Sequence, residues 1–172
     1  MNPEWLGDSY DIVKRFFVEV LLSLGYRVYV DPMPTGDWDP SEPSFLRLLG
    51  ASHVRDLTTG RTALLLDPDT GVGKRRSQRH TTIQDIVSEL ENHEIVFVFD
   101  QSFSRGADKL PQIQEKLAHL GSHGADGFYY DSHAPFLFAS VSSRNLDSLR
   151  DALSQAGLPK HRIVLPNGRH AT

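Results

Sequence analysis

The sequence contains no cysteine, which excludes disulfide frameworks, cysteine-ligated zinc sites, iron–sulfur clusters and thiol catalysis. No apolar run approaches the roughly 18 residues of a membrane span, so we expect no membrane partner. The opening MNPEWLGDSYD lacks the basic and apolar segments of a secretory signal, and we therefore expect a cytoplasmic protein. A net charge of -4 argues against a general basic coat for nucleic acid but is compatible with a local basic patch.

The sequence also lacks internal repeats, low-complexity tracts and linker-like stretches. Its 172 residues suit one domain and are enough to bury a core without a metal or a disulfide. We therefore expect residues 1–172 to form a single α/β domain.

Helical periodicity alternates along the chain with short apolar runs. The periodicity predicts helices over 9–24, 82–91 and 109–120, a short one after Ser41 and a last one after Ser143. In the first of these, the predicted apolar stripe comprises Ile12, Val13, Phe16, Phe17, Val20, Leu21 and Leu24. The apolar runs predict strands at 27–30, 63–66, 95–99, 127–130, 136–141 and 162–165, with a short edge strand within 52–61.

These strands are continuous apolar runs, which indicate burial on both faces and hence a parallel sheet covered by helices. The short turn between 131 and 136 predicts an antiparallel hairpin at the far edge. The predicted fold class is therefore α/β, a three-layer Rossmann-like, mostly parallel sheet with helices on both faces and an antiparallel edge hairpin.

Four predicted strands end in an aspartate at the same edge of the sheet: Asp31, Asp67, Asp100 and Asp131. Asp69 and His133 follow two of these ends by two residues. Ligands of such sheets bind beyond the carboxyl ends of the strands. Because clustered carboxylates repel each other, they indicate a cation, a positively charged substrate group or a proton-transfer role. The alternative is that each aspartate caps its own turn.

Basic side chains follow two of the same strand ends: Lys74, Arg75, Arg76, Arg79 and Arg105. Arginine forks and helix N-termini bind phosphate, so these segments predict a phosphate-bearing substrate. The alternative is a solvated charge run. Trp38, Phe103 and Tyr130 are candidates for stacking on a base.

Two stretches resemble a known family. GDSYDIVKR at 7–15, followed by an apolar helix and the strand YRVYVD at 26–31, resembles the opening of the ribosomal RNA adenine-N6 methyltransferases of the RlmJ type. LLLDPD at 64–69 is similar to their catalytic LIDPPY strand end. Asp69 and Thr70 stand where that family has its second proline and its aromatic residue. Residues 32–36 replace its glycine-rich cofactor loop.

The resemblance implies a methyltransferase fold, with S-adenosylmethionine as cofactor and RNA or DNA as substrate. It implies that Asp67 orients the exocyclic amine of a target base, which must leave its stack to reach the site. It also implies that Asp31 and Gly36 lie beside the cofactor.

Three functions are compatible with these residues. The catalytic candidates of the site are Asp67, Asp69, Asp100 and His133. The first function is a methyltransferase-like enzyme acting on nucleic acid or a nucleotide, in which Asp67 orients the amine and Asp31 lies near the cofactor. The second is a phosphoesterase or nuclease dependent on Mg or Mn, with Asp31, Asp67, Asp100 and Asp131 as metal ligands and His133 or His80 as proton donor. The third is a non-catalytic regulatory or partner domain on an enzyme-like scaffold. The sequence does not predict the oligomeric state.

Overall fold

The computed structural model describes residues 3–33, 38, 40–56, 58–77, 79–104, 106 and 108–168. The α-helices of these residues are α1 (Ser9–Ser23), α2 (Glu42–Leu49), α3 (Ile83–Glu89), α4 (Lys109–Ser122) and α5 (Ser143–Gln155). The strands are β1 (Arg27–Asp31), β2 (Ser52–His53), β3 (Thr62–Leu66), β4 (Gly71–Val72), β5 (His80–Thr81), β6 (Ile95–Phe99), β7 (Asp126–Tyr130), β8 (Phe136–Ser140) and β9 (Ile163–Val164). Among the described helices, none has the length and apolar character that crossing a membrane requires.

The described strands form a seven-stranded mixed sheet in the order β2-β1-β3-β6-β8-β7-β9, and β4 and β5 form a separate parallel pair. Strands β2, β1, β3 and β6 are parallel neighbours. The predicted hairpin is present as β7 and β8, and β8 lies antiparallel between β6 and β7. The two-residue β9 pairs antiparallel with β7 at the outer edge. The predicted α/β, mostly parallel, Rossmann-like fold is confirmed.

Helices cover both faces of the large sheet. Leu65 and Phe97 belong to a core cluster shared with α1, α2 and α5. Leu64 and Val96 belong to a second cluster shared with α3 and α4. Successive strand residues point to opposite faces of the sheet. Because helices cover both faces, the apolar runs of β3, β6 and β8 are buried throughout. The same alternation determines the face of the sheet toward which the side chain of the residue after each strand points.

Helix α1 is rotated relative to the predicted stripe. Ile12, expected to be buried, is 54% exposed. The buried positions include Asp11, Lys14, Val18 and Leu21, which are three, four and three residues apart. That spacing lies on one helical face, so two charged side chains share the buried face of α1 with apolar ones. These two side chains are buried there because they form an ion-pair cluster with Asp67, the residue that follows β3.

His93 is a buried histidine at the amino-terminal edge of the sheet. It is 3% exposed; its Nδ1 lies 3.2 Å from the Thr62 hydroxyl, and its Nε2 has no hydrogen-bond partner among the described residues. Burial lowers the pKa of His93 below the ordinary value of 6.5. The His93 imidazole therefore binds a proton less readily in the folded chain than in the unfolded chain.

We expect this histidine to weaken the fold as the pH falls below about 6.5, by at most about 1.4 kcal/mol per pH unit. The sign follows because the folded pKa lies below the unfolded one, so its contribution is fully present above the unfolded pKa. Urea unfolding at about pH 7.5 and pH 5.5 should show a smaller pH effect in His93→Gln than in the wild type. The exposed His161 provides the control His161→Gln. An unchanged pH effect in His93→Gln would contradict the prediction.

Candidate functional site

A cavity of about 420 Å³ lies at the carboxyl edge of the sheet. Its walls come from the start of α1, the segment that follows β3 and the end of β6, with Arg79 and Trp5 also contributing. The volume falls within the usual range of roughly 300–1,000 Å³ for small-ligand sites. Asp67 and Pro68, from the motif that the sequence singled out, form part of the lining.

Beside this cavity, Asp67, Lys14 and Asp11 form a buried charged triad. The Lys14 ammonium lies 2.8 Å from Asp67 Oδ2 and 2.9 Å from Asp11 Oδ1. The other oxygen of Asp11 accepts the Gly7 backbone amide at 2.8 Å. Asp67 is only 2% exposed. Asp67 lies two residues after Leu65, so its side chain points to the same face of the sheet. That face is covered by α1, from which Lys14 contacts Asp67.

Two phenyl rings hold the Lys14 ammonium in place. Its Nζ lies 5.5 Å from the Phe45 ring centre and 5.3 Å from that of Phe99. Such cation–ring contacts stabilise a desolvated ammonium group. The lysine is therefore fixed by two carboxylates and two rings.

The triad has one cation for two carboxylates. Burial raises the pKa of Asp67, and the attraction of Lys14 only partly opposes this. Burial acts to lower the pKa of Lys14, but Asp67 and Asp11 outweigh it and the pKa is raised. Lys14 is therefore charged at neutral pH. The triad places two carboxyl groups against this one cation, an arrangement that favours a ligand that brings a cation or an N–H donor.

The remaining charged groups that line the cavity make it more negative. Its lining has four carboxylates, from Asp8, Asp11, Asp67 and Asp69, and two cations, from Lys14 and Arg79, so its formal charge is −2. Asp69 and Arg79 face each other, with Arg79 Nε 3.5 Å from Asp69 Oδ2. The cavity floor is thus acidic and its rim carries an exposed arginine.

Asp100 lies on the other side of the sheet from Asp67. It is fully buried. Its Oδ1 accepts the backbone amides of Val72 and Ser102 at 2.9 and 3.1 Å. Its Oδ2 accepts the Lys116 ammonium at 2.5 Å and the Tyr129 hydroxyl at 2.7 Å. Burial and this carboxylate raise the pKa of Tyr129. Asp100 therefore joins the segment after β3 to α4 and β7.

The four strand-end aspartates share an edge of the sheet but not one cluster. Asp67 meets Lys14 of α1, whereas Asp100 meets Lys116 of α4 on the opposite face. Asp31 caps its own turn by accepting the Met33 amide at 3.0 Å. Asp131 Oδ1 lies 3.4 Å from the Nζ of Lys109, in α4. The expected convergence of the four carboxylates is therefore corrected: the sheet separates Asp67 from Asp100, and Asp31 and Asp131 have other partners.

This separation bears on the predicted Mg or Mn site. Within the described ranges, no group of three or more histidine, aspartate or glutamate side chains is arranged to hold a metal ion. The carboxylates of Asp31, Asp67, Asp100 and Asp131 thus provide no shared ligand set in this part of the chain. His133, a predicted proton donor for this function, is exposed, and its Nε2 lies 3.1 Å from the Tyr10 hydroxyl.

The predicted phosphate-binding residues are dispersed. Arg79 lines the cavity, whereas Lys74 pairs with Glu115 of α4 and Arg76 pairs with Asp85 of α3. Arg75 is exposed. Two further predicted residues, Arg105 and the cofactor candidate Gly36, lie outside the described residues.

The segment after β3 is held by close backbone packing at Gly71. This glycine has a φ of +99°, and a Cβ placed on it would lie 2.6 Å from the Asp100 Cα and 2.8 Å from the Gln101 amide nitrogen. Only glycine fits such an approach without displacement. The backbone that follows Asp69 therefore lies directly against the residues that follow β6.

Sequence reasoning missed Asp11, Lys14, Trp5 and Tyr10, all of which line the cavity. A signal for the first two was present, because Asp11 and Lys14 are three residues apart and continue at helical spacing to Val18 and Leu21. Charged residues on an otherwise apolar helical face indicate a buried polar partner. Trp5 and Tyr10 had no such signal, since their approach to the cavity depends on how α1 docks.

Comparison of the chain with protein-family models, with curated proteins and with solved structures finds no match. The function has to be inferred from the geometry and charge of the site.

Proposed function

We propose that this chain is a methyltransferase-like enzyme that acts on nucleic acid or a nucleotide, and that Asp67 accepts a hydrogen bond from the exocyclic amine of a base. The observation that carries the proposal is the buried, negatively biased triad of Asp11, Lys14 and Asp67 at the wall of a ligand-sized cavity. A buried carboxylate gains most from a ligand that donates N–H groups, because charge-assisted hydrogen bonds are strong in a dry site.

The charge balance favours an amine over a phosphate at the floor of the cavity. A phosphate beside Asp67 and Asp11 would meet two carboxylates and the single ammonium of Lys14, which both carboxylates already hold, and like charges repel. An aminopurine or aminopyrimidine ring meets them with its amine. In this proposal the exposed Arg79, whose Nε lies 3.5 Å from Asp69 Oδ2, binds the phosphate of the same nucleotide through the rest of its guanidinium group.

The residues present fit S-adenosylmethionine in charge. That cofactor has a sulfonium and an ammonium group, which suit the acidic lining, and it supplies an electrophilic methyl group when bound. Asp31, the described half of the predicted cofactor pair, is half-buried at the end of β1 and does not line this cavity, so the fit rests on the acidic lining alone. In this proposal Asp67 holds and orients the amine, and Lys14 fixes the Asp67 carboxylate.

One observation favours a second function, a non-catalytic partner domain. The two buried catalytic candidates each form an internal ion pair with a helix lysine, Asp67 with Lys14 and Asp100 with Lys116. Both carboxylates would then serve the fold alone, and the cavity would bind no base and no cofactor.

Calorimetric titration with S-adenosylmethionine, adenosine and inosine tests the proposal. We expect binding of S-adenosylmethionine and of adenosine, and weaker binding of inosine, which has a carbonyl in place of the amine. In Asp67→Asn, adenosine should bind about 10–100-fold more weakly, because a charged hydrogen bond worth roughly 1.5–3 kcal/mol is reduced. Lys14 keeps Asp11 as its partner in this variant, so the fold should persist.

Asp131→Asn is the matched control, since Asp131 ends another strand at the same edge but does not line the cavity. Its affinities should equal those of the wild type. Absence of binding to all three compounds at millimolar concentration would contradict the proposal and favour the partner domain. A gain in thermal stability with Mg²⁺ or Mn²⁺ alone would favour the phosphoesterase instead.

A further inference from the structure

We infer that Trp5 is the stacking platform of this site and that its ligand is an unpaired, amine-bearing base, either in a free nucleotide or in a single strand. The inference rests on the proposed function and adds the residue that recognises the ring of the base. It joins two groups on the cavity wall, an exposed indole and a buried carboxylate.

Trp5 is held at the cavity by the turn that precedes α1. It ends the 3-10 turn Pro3–Trp5, and its carbonyl accepts the Asp8 amide at 3.0 Å. Asp8 in turn caps α1 by accepting the amides of Tyr10 and Asp11. The cap that begins α1 therefore also fixes the backbone of Trp5 next to the charged triad.

The indole itself is available to a ligand. Trp5 is 59% exposed and lines the cavity together with Asp67 and Pro68. It has no aromatic ring partner within the described part of the chain. A base that donates its amine to Asp67 would lie within the same cavity as this uncovered ring, and stacking on an indole is favourable for every base.

The other rings near this edge are already packed. Trp38 is 1% exposed and packs against Phe45. Phe103 packs against Tyr129 on the opposite face of the sheet. They are therefore poor candidates for stacking on a ligand in this cavity.

Two nearer positions are also engaged. The Tyr10 ring lies 5.1 Å from the Phe99 ring and 5.9 Å from the His133 ring. Thr70, which stands where the similar family has an aromatic residue, donates its hydroxyl to the Arg79 carbonyl at 2.7 Å. Trp5 thus offers an aromatic surface that position 70 lacks.

The size of the cavity restricts the ligand further. About 420 Å³ matches a site for one small ligand such as a nucleoside. A base in a duplex would have to leave its stack, at a cost of a few kcal/mol, before Trp5 could receive it. Single strands and free nucleotides avoid that cost.

Tryptophan fluorescence tests the inference directly. The chain has two tryptophans, and Trp38 is buried, so quenching by added adenosine reports on Trp5. We expect quenching by adenosine and by a short single strand of deoxyadenosines, and much less by the same strand in a duplex. Calorimetry should show that Trp5→Leu binds adenosine about tenfold to hundredfold more weakly, whereas Trp5→Phe keeps most of the affinity.

The outcomes separate this inference from the proposed function. If the wild type and Trp5→Leu bind adenosine equally while Asp67→Asn binds it weakly, the stacking role of Trp5 is overturned and the proposed function stands. Equal quenching by the single strand and by the duplex overturns the preference for unpaired bases. If the wild type binds no base at all, both proposals are overturned.

Discussion

Replacing Lys14 by methionine is expected to lower the free energy of unfolding by about 3–5 kcal/mol. The substitution keeps most of the side-chain volume but removes the only cation of the described triad, so Asp11 and Asp67 remain buried without it. Isolated carboxylates lose far more hydration on burial than the methionine gains in apolar contact. Urea unfolding followed by circular dichroism measures the loss.

The adjacent Arg15 supplies the matched control for this prediction. It is half exposed and pairs with Glu19 on the surface of the same helix, so Arg15→Met should change stability by less than about 0.5 kcal/mol. The triple variant Lys14→Met, Asp11→Asn and Asp67→Asn, in which the triad has no charge, should recover much of the loss. Equal stability of Lys14→Met and Arg15→Met would contradict the ion-pair account.

The penalty in Lys14→Met should also shrink as the pH is lowered. Burial already raises the pKa of Asp67 in the wild type, and removal of Lys14 takes away the attraction that opposes the rise. The folded variant then binds protons more readily than its unfolded chain, so its stability relative to the wild type should increase between about pH 8 and pH 5. A penalty that does not depend on pH would point to packing instead of charge.

Gly71→Ala is expected to destabilise the chain by about 2–4 kcal/mol. Two effects add, namely the strain of an alanine at positive φ and the collision of its methyl group with the Asp100 backbone. Gly157 isolates the first effect, because its φ is +96° and a Cβ there would meet nothing within 4 Å. Gly157→Ala should therefore cost only about 1–2 kcal/mol.

The difference between the two alanine variants, measured by urea unfolding, gives the cost of the collision itself. Equal losses would mean that the segment after β3 moves away from Asp100 without resistance. A larger loss in Gly71→Ala would support the view that Asp67 to Asp69 are held in position through this contact.

The fold could be predicted in detail because its strands and helices have simple local patterns. The runs ALLL at 63–66 and IVFVF at 95–99 are strands β3 and β6, with bounds within one residue of those expected. Strand order could not be predicted, because the insertion of β8 between β6 and β7 depends on pairing between segments about forty residues apart in sequence.

The site could be predicted only in part. Asp67 was recognised from its position after an apolar strand, and it does line a cavity. Its separation from Asp100 could not be foreseen, because a fully apolar strand does not reveal which of its residues faces which layer of helices. A buried Lys14 is not predicted from the sequence, because the apolar stripe expected on α1 includes Ile12, which is exposed, and leaves out the charged residues of the buried face.

The insertion of β8 has a consequence for synthesis on the ribosome. Strand β6 has the sequence IVFVF, without a single charge, and its second edge pairs with residues 136–140. Until that part of the nascent chain emerges, about forty residues later, β6 presents an open edge to other chains. Uncharged β-branched and aromatic segments of this kind favour intermolecular pairing. We therefore expect truncated chains that end before β8 to aggregate more readily than the chain that includes it.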